Sequence, residues 1–195
     1  MSRGLDKEIG PNFYEGFKRE EAERSQLGRD QQHVMGQLLD LGISIVLASG
    51  NQGDQKDRHV IDAIPQVLES EDFPVINVGA ATLEGKAWSK TQDQGSQDGT
   101  QLTIYGVGVD VDVHNHKNGE GIKDPGTSFA APAVAGIIAV HMNYAPWDTS
   151  KVGLERVKEI KRWIRTADSS WQRAKDEDKE VNMVSPPSIS NSPKE

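Results

Sequence analysis

The chain has 195 residues, of which 35% are hydrophobic and 27% are charged, and it contains no cysteine. A single domain that can bury a core is expected from this length and composition, and disulfides and thiolate metal sites are excluded. The net charge of −8, without a basic stripe, excludes nucleic acid as a partner, because phosphate binding requires clustered lysine and arginine.

The first part of the chain predicts a helix followed by a buried strand. Apolar residues over positions 12–41 recur about every three to four residues, or multiples of that, and Gly28 and Gly36 are places where this helix can split. Gly42 stands where the left-handed end of a helix favours glycine. Residues 43–48 are rich in β-branched side chains, which is typical of a buried parallel strand.

The middle of the chain predicts further strands with polar loops between them. Residues 73–79 form another buried-strand pattern, and residues 102–105 and 107–113 alternate in the manner of strands. Residues 89–100 and 114–124 are polar and rich in turn-forming types, so both are predicted to be loops. The chain therefore returns to a sheet several times.

Two helices are predicted in the last third of the chain. The helix over 130–142 is apolar almost all round and is expected to be buried. The helix over 150–166 can be capped by Thr149 or Ser150. Its apolar side chains fall on one face: Val152, Val157, Ile160 and Ile164.

The order of these elements predicts the fold class and the domain boundary. Strands that alternate with helices indicate an α/β fold, a doubly wound and mostly parallel sheet with flanking helices. We expect the domain to cover residues 1–171. Residues 172–195 are charged and then rich in serine and proline, so they are predicted to be a disordered tail.

The segment from Gly126 to Gly136, GTSFAAPAVAG, carries the clearest chemical signal. Ser128 is predicted to open a helix, where unpaired backbone N–H groups and the positive end of the helix dipole stabilise a developing oxyanion. Pro132 is placed in the first turns, where its missing donor is tolerated. Small residues around it let the helix pack closely against the sheet.

This segment resembles the nucleophile motif of the subtilase family of serine peptidases, Gly-Thr-Ser-x-Ala-x-Pro-x-Val-Ala-Gly, at every fixed position. The resemblance implies a subtilisin-like fold, here its C-terminal half, and serine endopeptidase activity with Ser128 as the nucleophile. The alternative is an alanine-rich buried helix that is capped by a serine loop and has no catalytic role.

A second resemblance lies upstream, where residues 45–53 are similar to the family strand that ends in Ala-x-Gly-Asn-x-Gly. It implies that the Asn51 amide donates to the oxyanion and that Gly50 belongs to the substrate-binding surface. The alternative is an ordinary turn asparagine. More faintly, Met1-Ser2-Arg3-Gly4 resembles the end of the family strand beside the primary specificity pocket, which implies substrate binding at Ser2 and Gly4.

The other two members of the family's catalytic triad are not found by motif. Subtilases order their triad as Asp, His, Ser along the chain, with an Asp-x-Gly turn and a His-Gly-Thr motif. None of the five histidines here is followed by Gly-Thr. We expect those motifs to lie before position 1, through a truncated gene model or an internal start; a genuine short protein is the alternative. His114 and His116 are interpreted as loop residues, and His141 as a hydrogen-bonded residue late in the buried helix.

Without a base, Ser128 is a poor nucleophile, so the chain alone is expected to be nearly inert. The alternatives to a peptidase are an inactive pseudo-peptidase that at most binds peptides or a partner, and an unstable relic. The resemblance implies a peptide or protein substrate and no cofactor, and no metal site is predicted.

The remaining predictions concern association and location. An uncovered sheet edge predicts self-association. The sequence has neither a signal-peptide core nor an apolar run that could span a bilayer, which predicts no membrane partner and a cytoplasmic location as written, although the family is often secreted.

Overall fold

The computed structural model describes residues 16–92, 102–115, 117–142, 147–166, 171–176 and 179–184. Its helices are α1 (Arg19–Arg24), α2 (Gln26–Asp40), α3 (Thr127–His141) and α4 (Gly153–Thr166), with a 3-10 turn at Gln66–Leu68. Its strands are β1 (Val46–Ala48), β2 (Ile76–Ala81), β3 (Ile104–Val107), β4 (Val111–His114), β5 (Gly121–Asp124), β6 (Trp171–Asp176) and β7 (Lys179–Val184).

Five of these strands form the main sheet, in the order β1-β2-β3-β7-β6. The pairs β1–β2, β2–β3 and β3–β7 are parallel, and β6 joins β7 antiparallel. The sequence prediction of an α/β fold with a mostly parallel sheet and flanking helices is confirmed.

Helices cover both faces of this sheet because successive strand residues point to opposite sides. Even-numbered residues of β1 to β3 pack with α3 and α4 in one core, whose fully or nearly buried members include Ile76, Val78, Ile104, Val134 and Ile160. Odd-numbered residues at and before β1 and β2 pack with α1 and α2 in a second core that includes Ile45, Leu47, Val75, Met35 and Leu39. This is the doubly wound arrangement.

The long first helix is divided at a serine and not at either predicted glycine. α1 ends at Arg24, and Ser25 caps α2 by accepting a hydrogen bond from the Gly28 N–H at 2.9 Å. Gly28 instead serves close packing, since a Cβ there would lie 1.9 Å from the Ala22 carbonyl oxygen. Gly42 has φ +79°, as expected of a glycine just after a helix.

The predicted loop over 114–124 is wrong in its last part, because β5 pairs antiparallel with β4 in a separate hairpin. All four residues of β5 are exposed. A strand that buries no side chain has no apolar alternation to reveal it, which is why the sequence pattern missed it.

The disordered tail predicted over 172–195 is corrected for β6 and β7, which form a hairpin on the edge of the main sheet. Met183 pairs with Tyr105 in β3 and is 2% exposed. A segment made mostly of charged residues carries too little apolar periodicity to predict a strand. Residues 185–195 of that prediction lie outside the described residues.

The start of α4 also differs from expectation. Helix α4 begins at Gly153, so neither Thr149 nor Ser150 caps it, and Ser150 instead bonds with the Asp148 carboxylate. Val152 precedes the helix and is 77% exposed, whereas the other three predicted apolar positions, Val157, Ile160 and Ile164, are fully buried.

Helix α3 is buried on one face only, so the expectation of burial all round is wrong. Its sheet-facing residues are buried, and the opposite face is exposed at Pro132, Ala133, Gly136, Ala139 and Val140. Nothing else in the described ranges covers that face. None of the described helices combines the length and apolar character needed to cross a membrane.

Candidate active site

The site lies where the carboxyl ends of β1 and β3 meet the amino end of α3. Asn51 follows β1 after a two-residue turn, and Gly108 directly follows β3. The Gly108 carbonyl accepts a hydrogen bond from the Gly126 N–H at 2.8 Å, one residue before α3 begins. The sheet thereby brings segments that are more than seventy residues apart to one point.

The side chain of Asn51 is held by the first residue of α3. Its Oδ1 accepts hydrogen bonds from both the Thr127 N–H (3.0 Å) and the Thr127 hydroxyl (2.8 Å). That hydroxyl in turn accepts from the Gly50 N–H at 3.3 Å, and Thr127 is 1% exposed. Because a backbone N–H can only donate, the Asn51 amide must turn its oxygen to Thr127 and its NH₂ group away from it.

Ser128 is the second residue of α3 and is exposed to solvent. The N–H groups of Phe129 and Ala130 bond to the Gly126 carbonyl, and that of Thr127 bonds to Asn51. Within the part of the chain that the structure describes, the Ser128 N–H and the Asn51 NH₂ have no acceptor. Two free donors at a helix amino end next to a serine hydroxyl form an arrangement that can stabilise an oxyanion.

Pro132 lies deeper in α3 than the sequence suggested. It is the sixth helical residue, so its missing N–H is not one of the donors that are unpaired at every helix start. In a regular helix that donor would bond to the carbonyl of the residue four positions earlier, which is Ser128. The first-turn explanation is therefore wrong, and the proline instead leaves the Ser128 carbonyl without its intrahelical donor.

Among the described residues, no histidine makes a hydrogen bond with Ser128. His141 ends α3, thirteen residues along the helix from Ser128, or roughly 20 Å at 1.5 Å per residue. His114 is exposed in β4, with its Nδ1 3.2 Å from the Gly119 carbonyl. His33 and His59 are exposed on α2 and in the loop before Asp62, and His116 lies outside the described residues.

His141 is buried as predicted, but the hydrogen bond predicted for it is not found among the described residues. Its Nε2 is buried without a partner in that part of the chain, and its ring packs against Trp163 with the centroids 4.8 Å apart. Burial lowers the pKa of His141 from its ordinary value. The ring therefore acts as a packing group at the far end of α3.

The structure brings Ser128, Asn51 and Gly50 together, whereas Ser2 and Gly4 lie outside the described residues. Sequence reasoning did not identify Thr127 as the anchor of Asn51, although its place in the motif beside Ser128 was a usable signal. It also missed Gln92, whose N–H donates to the Gly50 carbonyl at 3.1 Å. No motif marks that residue. Across the described ranges, no three His, Asp or Glu side chains group in a way that could hold a metal ion.

Comparisons with solved structures agree with this architecture. A cold-adapted subtilisin-like serine proteinase superposes with a TM-score of 0.55 and 19% identity over 80% of this chain and 49% of its own. The patellamide maturation protease PatA gives 0.51 and 19% over 75% and 47%, and the prenylagaramide maturation protease PagA gives 0.50 and 21% over 74% and 46%. The chain spans about half the length of these structures.

Sequence comparison identifies the family. No curated protein sequence gives a significant match. The sequence model of the Subtilase family, Peptidase_S8, matches residues 5–184, which is nearly the whole chain. The chain therefore belongs to the subtilase family.

Proposed function

We propose that this chain supplies the nucleophile and the oxyanion hole of a serine endopeptidase of the subtilisin type. In this role the Ser128 hydroxyl attacks the carbonyl carbon of a substrate peptide bond. The Asn51 NH₂ group and the Ser128 N–H bind the oxygen of the tetrahedral intermediate, and Gly50 contributes to the surface that binds the peptide.

The observation that carries this proposal is the double hydrogen bond from Thr127 to the Asn51 Oδ1. It fixes the orientation of the amide before any substrate arrives, so no reorganisation is needed when the oxyanion forms. Loss of one such donor typically lowers kcat by about a hundred- to a thousandfold. An asparagine with only a turn-forming role has no need of an anchor in α3.

The reaction then proceeds through an acyl-enzyme. A bond forms between the Ser128 Oγ and the substrate carbonyl carbon, the C–N bond breaks, and the hydroxyl proton passes through a general base to the leaving amine. Water hydrolyses the ester and restores the serine. The positive end of α3 favours the negative intermediate at both stages.

The general base is the part of this mechanism for which the sequence offers no motif. No histidine is followed by Gly-Thr, and the four described histidines lie away from Ser128 or on exposed segments. In subtilisin, loss of the catalytic histidine alone lowers kcat about two-million-fold. We therefore infer that peptide hydrolysis at Ser128 requires an Asp and a His supplied by polypeptide other than these residues.

A serine-directed fluorophosphonate tests the proposal on the full chain, with imidazole added as a soluble base. We expect labelling that peptide mapping assigns to Ser128, that rises with imidazole concentration, and that falls at least tenfold in Asn51→Ala. Ser150→Ala, a serine on an exposed turn, is the matched control for Ser128→Ala. Equal labelling of Ser128→Ala and the parent would contradict the proposal.

A second candidate is a peptide-binding chain without catalysis, and the positions of the described histidines favour it for the chain in isolation. It predicts that an extended peptide binds Ser128→Ala and the parent with the same dissociation constant, measured by calorimetry. A parent chain that cleaves the peptide, or that fails to bind it at all, would exclude this candidate.

A further inference from the structure

A buried polar cluster, formed by Gln92, Asp62 and Arg58, contacts the turn that carries Asn51 and lies outside the family motif. Gly50 has φ +120°, a conformation that glycine adopts most readily. Asn51 directly follows it, so the backbone at Gly50 sets where the Asn51 side chain begins. The contacts of Gly50 with the rest of the molecule therefore bear on the position of the Asn51 amide.

Gln92 makes two such contacts with Gly50. Its backbone N–H donates to the Gly50 carbonyl at 3.1 Å. Its side-chain Oε1 lies directly against the Gly50 Cα, since a Cβ on Gly50 would be 1.9 Å from that oxygen. Gln92 is 1% exposed, so this packing is fixed by its surroundings and closed to water.

The orientation of the Gln92 amide is set by two acceptors on its other side. Its Nε2 donates to the Val60 carbonyl at 2.6 Å and to the Asp62 Oδ1 at 2.8 Å. Both hydrogens of the NH₂ group are thereby used, and Oε1 must face Gly50. A carboxylate is a strong acceptor, so a flipped amide, which would turn Oε1 toward Asp62, is strongly disfavoured.

Asp62 is itself held by a paired charge. The Arg58 Nε and Nη2 donate to its two carboxylate oxygens at 2.7 and 3.0 Å, and Asp62 is 4% exposed. The hydrogen bond to Asp62 raises the pKa of Arg58, so the guanidinium stays charged. A buried carboxylate with three good donors is a rigid anchor for the amide that bonds to it.

We propose that Gln92, oriented by the Arg58–Asp62 ion pair, is the positioning residue for the Asn51 amide. Contacts run continuously from Arg58 through Asp62 and Gln92 to Gly50, and from Gly50 and Asn51 to Thr127, the residue before Ser128. This inference rests on the proposed role of Asn51 and adds to it the residues that determine the position of the Asn51 NH₂ group.

The variant that tests it is Gln92→Met, which keeps the length of the side chain and the backbone hydrogen bond but removes the amide. The full chain is isotope-labelled for NMR, and the Asn51 side-chain NH₂ signals are identified by their loss in Asn51→Asp. We expect Gln92→Met to shift those signals and to speed hydrogen exchange of the Thr127 N–H at least tenfold.

Gln66→Met is the matched control, because Gln66 also uses its Nε2 on a backbone acceptor, the Ala48 carbonyl at 2.8 Å, at the outer edge of β1. We expect it to leave the Asn51 signals and the exchange of the Thr127 N–H unchanged. Equal behaviour of Gln92→Met and Gln66→Met would overturn the proposal.

A second pair of variants separates positioning from folding, should Gln92→Met fail to fold. Asp62→Asn keeps an acceptor oxygen for Gln92, whereas Asp62→Leu removes it. We expect the Asn51 signals to shift less in Asp62→Asn than in Asp62→Leu; the same spectrum for both would overturn the proposal. These NMR readouts need no reaction at Ser128. If the expected shifts are seen but fluorophosphonate does not label Ser128, the result would contradict the proposed peptidase function and leave the positioning role of Gln92 intact.

Discussion

The two faces of α3 are both rich in small and apolar residues, but their surroundings are opposite. On the sheet-facing side, Ala130, Val134 and Ile138 lie in the larger core and are each at most 4% exposed. The opposite side, with Ala133, Gly136 and Val140, is exposed, and Val140 reaches 46%. Both faces therefore have a composition that suits burial, but within the described residues only the sheet-facing one packs against other elements. Pairs of variants, one on each face of α3, separate the effect of the residue type from the effect of its burial.

The largest difference between the faces is expected from a charge placed on neighbouring residues. Val134→Asp buries a carboxylate without a partner, which is expected to cost more than about 4 kcal/mol and to prevent folding. Ala133→Asp places the same group on the exposed face and is expected to change the free energy of unfolding by less than about 1 kcal/mol. Urea denaturation measures both, and similar losses would mean that the exposed face is covered in solution.

The next largest effect on the free energy of unfolding is expected from replacing a glycine on each side of α3 by alanine. The two replacements are expected to change it in opposite directions. A Cβ at Gly106 in β3 would lie 2.9 Å from the Ala130 carbonyl oxygen and from Val134 Cγ2, so Gly106→Ala is expected to cost about 1–3 kcal/mol. A Cβ at Gly136 would meet nothing within 4 Å, and Gly136→Ala is expected to stabilise the helix by about 0.5–1 kcal/mol. Thermal unfolding of the two variants decides this, and a destabilised Gly136→Ala would contradict it.

The same helix shows how much the sequence could predict. The sequence predicted that Ser128 lies at the start of a helix, and the structure confirms this position, whereas its role as a nucleophile stays a prediction. The exposure of Ala133 and Val140 was not predicted, since an apolar residue carries no information about whether a partner is present. Pro132 was placed too early because a motif gives residue order but not the first helical residue.

Long-range contacts account for the rest of what was missed at the site. Thr127 was within reach of sequence reasoning, because it sits in the motif itself. Gln92 and Asp62 meet only through the folding of residues 50–92, and neither belongs to a periodic pattern. Strand β5 was missed for the opposite reason, because it buries nothing and its pairing depends only on the backbone.

The stability of the folded chain is expected to depend on pH through His141, at the buried end of α3. The folded chain lowers the pKa of His141 below its ordinary value of 6.5, so between the two values the unfolded chain binds more protons. Stability therefore rises with pH across that window, and it is lost as the pH falls below about 6.5. Urea midpoints from pH 7.5 to 5.5 should fall for the parent and stay flatter for His141→Phe.

His33 on α2 provides the control, because its side chain is exposed. His33→Gln should retain the fall in midpoint that the parent shows. A fall of the same size in His141→Phe would mean that another group causes the pH dependence, and that burial at the end of α3 contributes nothing to it.

The outer edge of β1 gives a comparison of self-association, since this strand has one neighbouring strand, β2, among the described residues. The Ser49 N–H bonds to the Val78 carbonyl and the Ile76 N–H to the Ile45 carbonyl, at 2.9 Å each. Because alternate residues of a strand bond to the same neighbour, the Leu47 N–H faces β2 and the Val46 N–H faces outward. An outward N–H at an edge is a template for another strand.

Proline at each of these two positions tests whether that edge mediates self-association. Val46→Pro removes the outward donor and part of the Val46 packing against the larger core, but no hydrogen bond to β2. It is therefore expected to fold, at a cost of about 1–2 kcal/mol, and to weaken self-association at least tenfold in sedimentation velocity. Leu47→Pro removes a bond to β2 and is expected to cost about 3 kcal/mol or more. A parent that stays monomeric, or a Val46→Pro variant that associates as the parent does, would contradict the prediction that the β1 edge mediates self-association.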